Sequence, residues 1–169
     1  MIKKLTLSLF LCFFLSCNAN HHKLLKGKVI GILDGDTITI LDSKKEEHRI
    51  RLAEIDAPER GQPFGKKSKE TLSNLIFQKE VKVYWDTKDR FHWKTKSKET
   101  KKGRIIGTVY KNNSDINKIM IQKGMAWHYK SFSKSEILAK EERNAQKNKL
   151  GIWSLNNPIP PWEYRRKRK

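Results

Sequence analysis

The sequence predicts an α+β domain built on a small β-barrel, and three observations carry that expectation. Five short stretches alternate apolar with polar residues or are rich in β-branched ones. Three others place apolar residues at helical spacing among charged ones. The strands come mainly first, without the regular βαβ alternation of a parallel sheet, and no internal repeat is visible.

Residues 1–16 stand apart from that domain. Lys3 and Lys4 form a positive start, residues 5–15 an apolar run of 11, and Ser16-Cys17 a small-residue junction. This is the shape of a secretory signal, too short to span a bilayer. Phe14-Leu15-Ser16-Cys17 resembles a relaxed bacterial lipobox, with Phe14 where that pattern prefers Leu, so Cys17 is expected as the lipidated first residue of the mature chain. Ordinary cleavage after Ala19 is the alternative. Both readings predict export: a lipid-anchored protein of the cell envelope in the first case, a soluble secreted or periplasmic one in the second. Cys12 falls inside the leader, so the mature chain can form no internal disulfide, and its stability must come from a packed core.

The 153 residues from Cys17 onward suit one compact domain. Without Lys3 and Lys4 they carry 35 basic residues against 18 acidic, a net charge of +17. Such a surplus attracts polyanions without saying which: nucleic acid, anionic lipid and acidic surface polymers all fit.

Residues 17–25 read as a polar tether, and its His21 and His22 have no Cys or carboxylate at ligand spacing. The domain proper is expected over 26–164. Residues 26–33, an Asp34-Gly35 turn and residues 37–41 form a hairpin, and residues 47–52 add a third strand. Residues 53–64, with two prolines and a glycine, leave the sheet as a loop. Leu72, Leu75 and Ile76 set one apolar face of a first helix over 65–78, and residues 80–86 return to a strand. Residues 87–102 hold seven basic residues and no apolar period, so a long exposed loop is expected there. A fifth strand follows at 104–111. A second helix, over 115–123, ends at Gly124. Ser133 and Glu136 form a capping box that opens a third helix, with Ile137, Leu138, Glu141 and Ala145 on mixed faces and Gly151 as its stop. Residues 158–164 form an aromatic, proline-rich coda, and 165–169 a solvated basic tail.

Chemistry concentrates in two places, Asp34-Gly35-Asp36-Thr37 and the stretch RLAEIDAPE from Arg51 to Glu59. Asp34, Asp36 and Asp56 are oxygen ligands near turns, which suit a hard cation such as Ca²⁺ or Mg²⁺. For Asp34 the demands of the turn are an equal explanation. Glu59 could take a proton from a water beside such a cation, and Arg51 and Arg104 could grip a phosphate. Taken singly, each of these residues is ordinary on so charged a chain.

Together they are not. Asp34-Gly35-Asp36-Thr37, Arg51-Leu52 through Asp56-Ala57-Pro58-Glu59, Gly103-Arg104 before a strand, Gly124-Met125-Ala126-Trp127, Gly151-Ile152-Trp153-Ser154 and Pro160-Pro161-Trp162-Glu163 resemble the staphylococcal (thermonuclease-like) nuclease family over about residues 26–165. The resemblance implies a five-stranded OB-fold barrel with three helices and Ca²⁺-dependent phosphodiester hydrolysis of DNA and RNA. It implies Asp36, Asp56 and the Ala57 carbonyl as ligands of one Ca²⁺, Arg51 as the phosphate contact, Glu59 as general base and Arg104 as the stabiliser of the transition state. Tyr129 falls near the family's nucleotide-contacting tyrosines, with a core role as the alternative. Arg90 and Lys102 are further substrate-binding candidates. The departure is the spacing: Asp89-Arg90-Phe91 is separated from Gly103-Arg104 by eleven residues. Phe91 and Trp93 among lysines suggest base stacking in that insertion. An OB barrel suits single-stranded or frayed nucleic acid. A monomer with no protein partner is expected. The competing function is a catalytically silent barrel that holds nucleic acid at the cell surface, and a second is a basic lipoprotein that adheres to anionic surfaces.

Overall fold

The computed structural model describes residues 23–85 and 103–168. Expectations that rest on Cys17, Arg90, Lys102, Phe91 and Trp93 lie outside these residues.

Five strands close into a mixed barrel. β1 (Lys23–Ile32), β2 (Thr37–Asp42) and β3 (Glu47–Leu52) form an antiparallel meander. After β4 (Ile55–Asp56) and helix α1 (Gly65–Ile76), β5 (Glu80–Trp85) pairs with β1 and β6 (Ile105–Lys111) pairs with β5. A parallel pairing of β3 with β6, with Arg51 opposite Ile106, closes the ring. The order β3-β2-β1-β5-β6 with that closure is the OB-fold barrel. Two-residue strands complete the sheets: β7 (Ser114–Asp115) on β6, and β8 (Trp127–His128) on β4.

Alternation fills the barrel as anticipated. Val29, Ile38, Ile40, Ile50, Val83 and Val109 are fully buried. β1 begins at Lys23 rather than residue 26: Lys23, Leu24 and Leu25 pair with Trp85, Tyr84 and Val83, so the end of the expected tether is barrel wall.

Helix α1 buries Leu72 and Ile76. Helix α2 (Ile116–Gln122) is capped by Asp115, whose side chain accepts from Lys118 N–H, and it buries Ile116, Met120 and Ile121. Its buried Asn117 accepts from Val109 N–H and donates to the carbonyl of Ala53, fastening the helix to the barrel end. Helix α3 (Glu136–Lys147) corrects the expected capping box. Its cap is Ser135, which accepts from Leu138 N–H, because the Ser133 hydroxyl is engaged by His128 at 2.8 Å and donates to Glu54 at 2.6 Å. Its inner face is Leu138, Glu142 and Ala145, whereas Ile137 is exposed. Buried Glu142 accepts from His128 N–H and pairs with Lys130.

Gly124 and Gly151 lie back to back at the ends of α2 and α3, both at positive φ. A Cβ on Gly124 would come within 2.1 Å of the Leu150 carbonyl oxygen, so only glycine lets the two segments touch. A 3-10 turn over Gly151–Ser154 follows. The coda and tail then form a fourth helix, α4 (Pro161–Lys167), opened by Pro161 in the first turn, where a missing N–H costs nothing. Three helices were expected, and the described residues hold four. Among the described residues no helix is long and apolar enough to cross a membrane.

Candidate active site

The turn between β1 and β2 brings Asp36 inward. Asp34 Oδ1 accepts from Asp36 N–H at 3.0 Å, and Leu33 N–H bonds the Thr37 carbonyl. Gly35 is required by space rather than by φ, since a Cβ there would meet Ser68 Oγ at 2.0 Å and Ala57 Cβ at 2.7 Å. Asp34 therefore does turn work. Asp36 is buried; its Oδ2 accepts from Ala57 N–H at 2.8 Å and its Oδ1 from the Thr37 hydroxyl at 3.0 Å. Asp56 comes from the short β4, held opposite Trp127 of β8, and its side chain is only 1% exposed.

Two buried carboxylates side by side need positive charge. Arg51, near the end of β3, supplies it. Its Nη1 lies 2.9 Å from Asp36 Oδ2 and its Nη2 2.9 Å from Asp56 Oδ1. Nη1 also donates to the carbonyls of Leu52 and Ile55, at 3.0 and 2.9 Å. Burial pushes the pKa of Asp36 up to about 7, against the pull of Arg51, with Asp34 adding to the rise.

Glu59 stands at the rim, its backbone N–H bonded to Gln62 Oε1 at 3.0 Å. Arg104, beside the first residue of β6, is exposed and has no ion-pair partner among the described residues. A cavity of about 350 Å³ is lined by Asp34, Asp36, Arg51, Asp56, Ala57, Glu59, Arg104 and Tyr129 among others. The residues singled out by sequence, where the structure describes them, thus converge on one place. Tyr129 is half-buried and stacks on Trp162 at 5.4 Å with planes 7° apart, with Phe132 tilted against it at 4.7 Å.

One residue of this cavity was expected elsewhere. Arg165, assigned to a solvated tail, lies on α4 and reaches into the site. Its Nη2 is 2.9 Å from Asp56 Oδ2, and its Nη1 is 3.2 Å from Asp56 Oδ1 and 2.6 Å from Glu59 Oε1. Burial works against its charge, but the bonds to Asp56 and Glu59 more than offset this and raise its pKa. The available signal was Pro160-Pro161 before Trp-Glu-Tyr, a helix start that would put Arg165 one turn in. Glu54, to which the sequence assigns no functional role, accepts the Ser133 hydroxyl.

The cavity's donor set is oxygen from Asp, Glu and Thr with neither His nor Cys, which fits a hard divalent cation. The described residues also gather Asp42, Glu46 and His48 at the opposite end of the β2–β3 hairpin. There Asp42 accepts from Lys44 N–H, Glu46 N–H and the His48 ring, which explains the cluster as turn chemistry and lowers the pKa of Asp42, chiefly through His48.

Comparison with known proteins agrees with this geometry. Residues 49–155 match the model of the staphylococcal nuclease homologue family. An "uncharacterized endonuclease" of Haemophilus influenzae is 39% identical over 99% of this chain and 88% of its own length. A "micrococcal nuclease" of Shigella flexneri is 38% identical over 83% of this chain and 80% of its own. With the barrel, the acidic cavity and these matches in agreement, the chain belongs to the staphylococcal nuclease homologue family.

Proposed function

We propose that this nuclease is a Ca²⁺-dependent, sugar-nonspecific endonuclease that hydrolyses phosphodiester bonds of DNA and RNA. The observation that carries the reading is the single cavity into which Asp36, Asp56, Glu59, Arg51 and Arg104 converge. A divalent cation held by Asp36 and Asp56, with the Ala57 carbonyl, would supply charge neutralisation and a more acidic water.

The chain's own groups account for the rest. Arg51 keeps the two carboxylates together, and among the described residues its Nε–H and one Nη2 hydrogen have no acceptor, which leaves them for a phosphoryl oxygen. Glu59, at the rim, takes the proton of an attacking water. Arg104, exposed at the start of β6 and lining the cavity, stabilises the charge that builds on the equatorial oxygens and the leaving group.

Single-stranded or frayed substrate fits the surroundings. Tyr129 opens onto the cavity, and Phe132 is 75% exposed beside it. Next to Phe132 a groove of about 700 Å³ runs over Tyr84, Trp85, Ile106 and Tyr110, a surface on which unpaired bases can stack. The test is incubation of the mature domain with single- and double-stranded DNA and RNA, with Ca²⁺ or with chelator. Cleavage that needs the cation supports the reading; binding without cleavage would replace it with a silent binding module.

Export with lipidation at Cys17 completes the proposal. It predicts that labelled fatty acid is incorporated into the wild type and lost in Cys17→Ala. Labelling that survives the substitution, or is absent from the wild type, refutes the anchor.

A further inference from the structure

Arg165 and Arg51 both touch Asp56, but they are held differently. Arg51 is fixed by two backbone carbonyls as well as two carboxylates, and its side chain is 16% exposed. Arg165 is 41% exposed, sits on a seven-residue helix at the end of the described chain, and reaches only carboxylate oxygens in the site. Both Asp56 oxygens accept from it, and it covers Glu59 Oε1 as well. Its placement is built rather than incidental. Buried Gln62 accepts from Glu59 N–H and donates to the Ile159 carbonyl at 2.6 Å, joining the Glu59 loop to the segment that enters α4. The stack of Trp162 on Tyr129 is a second tie between the helix and the cavity wall.

We infer that Arg165 is a displaceable counter-cation that closes the acidic site, competing with the divalent cation for Asp56 and holding Glu59 out of use as a base until it is displaced. A guanidinium and a divalent cation drawing on the same carboxylate repel one another, and Arg51, tied to two main-chain carbonyls, is less free to withdraw than Arg165. Binding of the cation therefore releases Arg165, uncovers Glu59 and loosens α4. This rests on the metal reading proposed above and adds to it a residue that sets the affinity of the site and couples it to the C-terminal helix.

The test uses the mature chain without nucleic acid. Ca²⁺ is titrated calorimetrically into the wild type, Arg165→Gln, Arg165→Lys and Asp36→Asn. Losing a partly exposed ion pair that opposes binding should tighten Ca²⁺ affinity in Arg165→Gln by about five- to tenfold, with Arg165→Lys in between. In the wild type, amide hydrogen exchange across residues 161–168 should rise when Ca²⁺ is added, a readout that does not depend on any variant folding. Unchanged or weaker affinity in Arg165→Gln, or exchange in α4 that Ca²⁺ leaves unaltered or slows, overturns the inference and makes Arg165 a structural partner of Asp56. If the wild type binds Ca²⁺ and Asp36→Asn does not, the metal reading stands whichever way Arg165 turns out. If no form binds Ca²⁺ at millimolar concentration, both fall.

Discussion

Replacing Arg51 with methionine keeps most of the aliphatic stem and removes the charge. Among the described residues Asp36 then loses the one guanidinium that touches it, and Asp56 keeps one, Arg165 at 2.9 Å. Breaking a buried pair from one side costs about 3–5 kcal/mol. The lower end applies because Asp36 retains hydrogen bonds from Ala57 N–H and the Thr37 hydroxyl. A loss of about 3 kcal/mol lowers the melting temperature of a domain of this size by about 6–12 °C. The loss also depends on pH. The folded carboxyl of Asp36 titrates at about 7, above its ordinary 3.8, so below pH 7 it is already largely neutral and its attraction to Arg51 is weak. The penalty of Arg51→Met should therefore be largest near pH 8 and shrink as pH falls through 7. Urea unfolding of both proteins at pH 5.5 and 8 (about 2.5 pH units apart, straddling the titration) measures this. In an Asp36→Asn background the same substitution should cost less by about 1 kcal/mol or more, because the two residues touch. Equal stability of Arg51→Met and wild type at both pH values, or an identical cost in the Asp36→Asn background, would refute the view that Arg51 holds the acids together.

Other outcomes follow from the same geometry. Glu59→Gln and Arg104→Ala should each lower the cleavage rate by about 10²–10³, with nucleic-acid binding retained in a gel-shift assay; full activity in either removes that residue from the chemistry. His128 is buried, and burial lowers its pKa below 6.5, with Lys130 assisting and Glu142 opposing. The unfolded chain then takes up the proton first, so the stability His128 contributes is complete above pH 6.5 and is lost as pH falls toward its depressed folded value. A His128→Gln variant should show a flatter fall in urea midpoint over that range, and an unchanged fall would exonerate His128. Gly124→Ala should destabilise by more than about 2 kcal/mol, since it forces an L side chain into positive φ and against the Leu150 carbonyl. A melting temperature equal to wild type would show that the α2 and α3 ends move apart easily.

What the sequence made legible was local. The period-two alternation around Ile38, Ile40, Ile50, Val81 and Val83 marks one buried face per strand, and those residues do fill the barrel. The site's carboxylates were legible for a similar reason, since they stand on turns close in sequence. The failures are all tertiary. Ser133 and Ser135 are both plausible caps for α3, and the choice falls on Ser135 only because Glu54, 79 residues away in sequence, takes the Ser133 hydroxyl. Residues 23–25 look like tether until β5 offers them a partner. Arg165 lies 106 residues from Glu59 and 109 from Asp56; the prolines before it mark a helix start, but nothing in the run of five basic residues shows that the helix packs its first arginine into the site.

The three arginines of the cavity differ less in chemistry than in what the backbone does with each. Arg51 leaves a barrel strand, and its guanidinium is tied to two main-chain carbonyls, so its charge is a fixed part of the site. Arg104 stands at the start of β6 with no acidic partner among the described residues, so its charge is available to whatever anion arrives. Arg165 hangs from a short helix and, among the described residues, is bound in the site by Asp56 and Glu59, the groups that the proposed reaction would use. A site with three carboxylates and two guanidiniums in contact with them is already nearly neutral. Adding a divalent cation to it while both guanidiniums stay would leave excess positive charge in a half-buried space, and the least anchored of the two is the one that can relieve it. On the function proposed above, the chain's strong positive charge would gather nucleic acid without distinguishing one phosphate from another, and the exposed Arg104 with the aromatic faces of Tyr129 and Phe132 would then position the phosphate that is attacked.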